Sequence, residues 1–81
     1  IHVRDYLYSA GYVFHKEGSP ELRSWVHSSM LKVLEGKANI VLDEVQKKYE
    51  TVDKNRQARL KPLISYFTNN LSRMKYDEYL K

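Results

Sequence analysis

Gly18-Ser19-Pro20-Glu21-Leu22-Arg23-Ser24-Trp25-Val26-His27-Ser28-Ser29-Met30-Leu31-Lys32-Val33-Leu34-Glu35-Gly36 carries the start, the body and the stop of one helix. Ser19 offers a side-chain oxygen to the amides of a first turn. Pro20 has φ preset for the first helical position, and Glu21 favours the positive end of the helix dipole. Leu22, Trp25, Val26, Ser29, Met30, Val33 and Leu34 recur three and four residues apart, which puts them on one face. Gly36 ends the run because it accepts a positive φ, and Gly18 is suited to close a helix before Ser19 in the same way. A helix bounded like this must bury its apolar face, so the flanking segments are expected to carry matching faces.

Upstream, the spacing predicts a helix over residues 1–16. Val3, Leu7, Ala10 and Phe14 form one stripe, with Tyr6 and Val13 beside it, while Tyr8 and Tyr12 point the other way. A helix that is apolar or aromatic nearly all round is usually buried on two sides. Tyrosine also tolerates half-burial, because its ring packs while its hydroxyl stays wet. Tyr8 and Tyr12 therefore read either as docking residues or as ordinary surface.

Downstream, a third helix is expected from Ala38 or Asn39 to about Glu50, with Leu42, Val45, Tyr49 and Val52 as its stripe and Val41 on the flank. Residues 51–61 are polar and basic, with Asp53 able to cap a further helix. Pro62 lacks an amide donor and clashes with the turn before it, so a break or kink is expected there. The fourth helix is accordingly placed at about residues 60–71, with Leu63, Ile64, Phe67 and Leu71 inward. Asn69 and Asn70 read as terminators through the left-handed conformation. Met74, Tyr76 and Tyr79 follow in a short last turn or helix. The expected fold is all-α, a small bundle of about four helices forming a single domain over residues 1–81.

Eighty-one residues support one modest core, and three glycines, two prolines and no cysteine exclude disulfides and thiolate metal sites. The longest aliphatic run is Ile40-Val41-Leu42, so no membrane span is expected, and a cytoplasmic location fits. Charge is uneven: residues 1–35 hold four basic and four acidic side chains, whereas residues 36–81 hold ten and six. Lys47, Lys48, Lys54, Arg56, Arg59 and Lys61 face only Glu50 and Asp53 within their stretch. That cluster reads either as a solvated face with its linker or as a surface for DNA phosphate.

No catalytic constellation is legible. His2, His15 and His27 do not share a metal-ligand spacing. Asp43-Glu44 and Asp77-Glu78 are adjacent pairs that diverge on a helix, whereas general acid–base work needs converging groups. No glycine-rich phosphate loop is present. A helix-turn-helix reading of the second and third helices puts Asp43 and Glu44 near the end that reads the groove, where phosphate and base edges disfavour them.

Three blocks carry a family resemblance. Ile1-His2-Val3-Arg4-Asp5-Tyr6-Leu7 resembles the segment after the second catalytic aspartate of bacterial insertion-sequence transposases of the Kra type, which have an RNase H-like, acidic-triad core. Phe14-His15-Lys16-Glu17-Gly18-Ser19-Pro20, Trp25-Val26 and Leu34-Glu35-Gly36-Lys37 resemble the family's helical stretch. Tyr66, Asn69, Asn70, Arg73, Met74, Tyr76 and Tyr79 resemble the block before its final catalytic glutamate. The resemblance covers nearly the whole chain apart from residues 51–61, and it implies an excised helical insertion domain between the second and third acids. No residue of the chain is then catalytic and the chain itself holds no cofactor, while the parent would use a divalent metal such as magnesium for strand transfer on DNA. His2 is given no catalytic role.

Two functions follow as expectations. In the first, the six basic residues contact DNA backbone as part of a transposase. In the second, Tyr8, Tyr12, Tyr66, Met74, Tyr76 and Tyr79 form a docking face for the rest of the core or for a second copy of the chain, without DNA contact.

Overall fold

A computed structural model of the chain describes residues 3–74, and the expectations placed on His2, Tyr76 and Tyr79 lie outside that range. Among the described residues there are four α-helices and one 3-10 turn: α1 (Val3–Phe14), α2 (Pro20–Leu34), α3 (Ala38–Tyr49), α4 (Lys54–Asn70) and η1 (Leu71–Arg73). The all-α bundle is as the periodicity implies.

The signals around α2 act largely as read. Ser19 accepts a hydrogen bond from the Leu22 amide at 3.2 Å, with Pro20 opening the helix. At the other end Gly36 has φ +77°. Its amide donates to the Val33 carbonyl at 3.0 Å and the Lys37 amide to the Lys32 carbonyl at 2.8 Å. That paired closure is a Schellman motif, and it turns the chain into α3 within three residues. Gly18 serves a turn instead of a helix end. α1 stops at Phe14, and Gly18, at φ +78°, is the third residue of a turn closed by the Ser19 amide on the Lys16 carbonyl at 3.1 Å.

Each helix packs on two others, so α1–α2, α2–α3, α3–α4 and α4–α1 close a ring. The interior holds Leu7 and Ala10 of α1, Leu22, Val26 and Val33 of α2, Val41 and Val45 of α3, and Leu60, Leu63 and Phe67 of α4. Ser29 is buried with them as the face of α2 implies, but Leu34 is not: it is 42 % exposed. Helix α2 ends at Leu34, and its side chain falls past the edge of the face that Val33 closes. On α3 the inward order is reversed, since Val41 is fully buried and Leu42 sits at the core margin.

Gly11 lets α1 and α2 approach closely, a role the stripe did not reveal. A Cβ built there would lie 2.5 Å from Leu22 Cδ1 and 3.3 Å from Trp25 Cε3, closer than packed carbons tolerate. Phe14 and Trp25 complete the same seam with an edge-on contact at 5.3 Å between ring centres.

The largest departure from the sequence expectation is α4, which begins at Lys54 and runs unbroken through Pro62. Two things offset the proline. Asp53 caps the start, accepting the Arg56 amide at 2.9 Å, so the first turn is secured independently. Leu60, Leu63 and Phe67, on both sides of Pro62, are almost fully buried on one face, while Pro62 and Ala58 are exposed. The carbonyl of Ala58, deprived of its donor, thus lies on the solvent side, where water can satisfy it. The asparagines also end α4 differently from expectation. No residue other than glycine has a positive φ among those described. Asn70 (φ −119°) donates its side-chain amide to the Tyr66 carbonyl at 2.9 Å, and the chain tightens into η1.

Pro62→Ala should therefore stabilise the chain by roughly 2–3 kcal/mol, restoring the donor to an exposed helix interior. Urea denaturation measures it, and no gain would mean that α4 is already interrupted. Asp53→Ala should lower stability by about 1 kcal/mol in the same assay, through loss of the cap.

Candidate nucleic-acid interface

The last turn of α3 and the first turn of α4 meet across residues 50–53, and this corner carries most of the basic cluster. Its backbone is tied down. Thr51 Oγ1 donates to the Lys48 carbonyl at 2.8 Å, and Gln57 Nε2 reaches across to the Tyr49 carbonyl at 2.9 Å. Both carbonyls belong to the end of α3, and the Lys48 carbonyl also accepts the Thr51 amide at 3.0 Å.

All six basic side chains are exposed. Two already have carboxylates: Lys47 Nζ lies 3.1 Å from Asp43 and Arg56 3.1 Å from Asp53. These pairs are open to solvent and contribute at most about 1 kcal/mol each, so a phosphate can compete for either cation. Lys47 and Lys48 complement the negative end of α3. Lys54 and Arg56 do the opposite, standing in the first turn of α4, which holds no acidic residue. Cations there oppose the helix dipole, and only the Asp53 cap beside them relieves it.

The remaining members diverge. Lys48 opens on a cleft between α1, α2 and α3, with its Nζ 6.0 Å from the centre of the Phe14 ring. Arg59 lines a groove with Ser9, Tyr12 and Pro62, on the α1 side of α4. Lys61 lines another with Gln46, Tyr49, Glu50 and Ile64, on the α3 side. The six therefore surround one end of the bundle instead of forming a single stripe.

The aromatic face is also divided. Tyr66 stacks on Tyr6 with ring centres 4.6 Å apart and makes an edge contact with Phe67, so it joins α4 to α1. Met74 is 2 % exposed and belongs to the core, which corrects its place on a docking face: after η1 the chain folds back over the bundle and seats this side chain inside. Tyr8 is half-buried, and Tyr12, 41 % exposed, lies 6.3 Å from it between ring centres. Of the tyrosines described, only Tyr12 presents much free ring. Leu31, Leu34 and Ile40 are also exposed, near the α2–α3 turn.

One group escaped sequence reasoning. Glu44, read as half of a diverging acidic pair, is only partly exposed, and its Oε1 is buried with no hydrogen-bond partner. The signal was its position between Val41 and Val45, on the flank of the buried stripe. Among the described residues, no three His, Asp or Glu side chains converge to hold a metal ion, and no helix is long and apolar enough to cross a membrane.

No protein-family model matches this chain, and no curated protein or solved structure matches it either.

The division of tyrosines has a direct test. Tyr66→Ala should destabilise the fold by roughly 2–4 kcal/mol, because it removes a packed ring. Tyr12→Ala should cost under about 0.5 kcal/mol. Thermal unfolding of the two variants separates them, and equal effects would refute the assignment.

Proposed function

We propose that this chain is the helical insertion of an insertion-sequence DNA transposase core, and that its α3–α4 corner holds DNA by the phosphate backbone. The observation that carries the DNA contact is the pair Lys54 and Arg56, set against the dipole in the first turn of α4, across the short α3–α4 connection from the turn that holds Lys47 and Lys48. A phosphate there meets these cations at the positive end of the helix dipole and adds to the partial relief that the Asp53 cap gives. Arg59 and Lys61, diverging to either side of α4, would follow a backbone that wraps this end. Contacts of this kind position DNA without reading its sequence.

The insertion reading is supported by the block resemblance and by the antiparallel pairing of α1 with α4. Stacking of Tyr6 on Tyr66 puts the start of α1 and the end of α4 at one end of the bundle. A segment inserted between two stretches of a catalytic core needs its ends together in this way. The described residues offer no converging carboxylates for the parent's divalent metal. On the block resemblance, strand transfer belongs to acids of the parent core, and the role of this chain is to position DNA.

A second reading rests on Tyr12, whose exposed ring borders the groove with Arg59 and Pro62. There the chain would dock on the rest of the core or on its own copy, with little affinity for DNA.

Fluorescence anisotropy with a labelled duplex at low salt distinguishes the two. The DNA reading expects micromolar binding whose logarithm falls with log salt at a slope of about −3 to −5, for four to five phosphates. Neutralising Lys47, Lys48, Lys54, Arg56, Arg59 and Lys61 should abolish it. Undetectable binding, or binding unchanged by neutralisation, sinks the DNA reading. Self-association in sedimentation that Tyr12→Ala removes would favour docking instead.

A further inference from the structure

The seam where α1, α2 and α3 meet holds two adjoining clefts that share His15, Trp25 and Glu44. The one toward α3 encloses about 520 Å³ and has Phe14 and Lys48 on its wall. Two of its features point to a ligand. Glu44 Oε1 is buried without a donor among the described residues. A carboxylate oxygen left without a donor is costly, and because Glu44 is still partly exposed, a turn of its side chain brings that oxygen into the cleft, where a bound group can supply the hydrogen bond. Lys48, one helical turn on from Glu44, is the natural partner on spacing alone. Its ammonium instead stands over the Phe14 ring, and it forms no ion pair with Glu44.

The second feature is the aromatic wall. Trp25 and Phe14 meet edge to face, and the Phe14 ring already faces one cation, that of Lys48. A carboxylate beside aromatic rings matches the guanidinium group, which is planar, stacks on rings and presents forked N–H donors. An alkylammonium meets the charge but not the plane; a neutral urea meets the plane but not the charge.

We propose that this cleft is a binding site for a guanidinium group, which donates to Glu44 and lies against Trp25. The group is either a free small guanidine or the arginine side chain of a partner segment. Lys48 occupies the cleft wall in the absence of that group and competes with it through like charge. The proposal shares Lys48 with the DNA reading but rests on Glu44 and Trp25, which play no part in the basic corner.

Trp25 is the only tryptophan of the chain, so its emission reports on the cleft directly. The whole chain is titrated with agmatine and with an acetylated, amidated tripeptide centred on arginine; butylamine and butylurea serve as controls. A saturable emission change with either guanidine, at least about tenfold tighter than with both controls, is the expected result. Response to agmatine indicates a site open to small molecules, and response to the peptide alone identifies a macromolecular partner. Glu44→Gln should weaken binding about tenfold or more, with helicity by circular dichroism unchanged. Lys48→Met, at an exposed position, should tighten it several-fold and keeps the test valid should Glu44→Gln fail to fold. Equal affinity for butylamine, a response indifferent to Glu44→Gln, weaker binding in Lys48→Met, or no saturable response to either guanidine would each overturn the proposal.

Discussion

The bundle closes only because α4 stays one helix past Pro62. Its two halves contribute Leu60 on one side of the proline and Leu63 and Phe67 on the other, and all three reach the same interior. A break at residue 62 would turn the faces apart and leave either α3 or α1 without a neighbour. Burying these side chains contributes roughly 1.5–3 kcal/mol each, which exceeds the cost of about 3 kcal/mol for an interior proline. Packing on the inner face thus overrides a local preference on the outer one. The stack of Tyr66 on Tyr6 then fixes α4 to α1, the two helices furthest apart in sequence.

That arrangement explains where functional groups can stand. With every helix packed on two neighbours, polar and charged side chains are left the outer faces, the corners and the seams. The basic residues take the α3–α4 corner, where Asp53, Thr51 and Gln57 hold the backbone by their own hydrogen bonds. Charge can therefore accumulate there without the core depending on it. The α1–α2–α3 seam differs in character. Close approach at Gly11 brings Trp25 inward, and α3 lays Glu44 along its edge. One region suits a polyanion held at its surface; the other suits a single flat group held in an open cleft.

How much of this was legible in the sequence varies by element. The span of α2 was readable because Ser19, Pro20 and Gly36 act through the backbone of their own neighbours, and short-range chemistry survives any tertiary context. The start of α4 was not, because Pro62 speaks against a helix locally while the evidence for one lies in distant contacts of Leu60 and Phe67. Asp53 is legible as a cap, but a cap alone does not show that a helix continues through a proline. Met74 failed for a related reason: a methionine after a helix end looks like surface unless the turn that folds it back is known. The basic cluster was legible as composition but not as geometry, since the divergence of Lys48, Arg59 and Lys61 follows from which neighbour each side of the helix meets. Glu44 was hidden because a carboxylate beside an apolar stripe is ordinarily solvated, and only three-dimensional packing shows that one of its oxygens is not.

The proline that α4 tolerates also sets a gradient of local stability along that helix. Residues before it are anchored inward chiefly by Leu60, and the Ala58 carbonyl has no amide to hold it. Residues after it are anchored by Leu63 and Phe67 and by the Tyr66 stack. Opening the first two turns of α4 therefore costs less than opening the rest of the helix, but it must still break the Asp53 cap, the Gln57–Tyr49 contact with α3 and the burial of Leu60. Lys54, Arg56 and Arg59 all ride on those turns. The basic end of the molecule thus stands on the less firmly held half of α4, with its position set by short-range hydrogen bonds more than by the core.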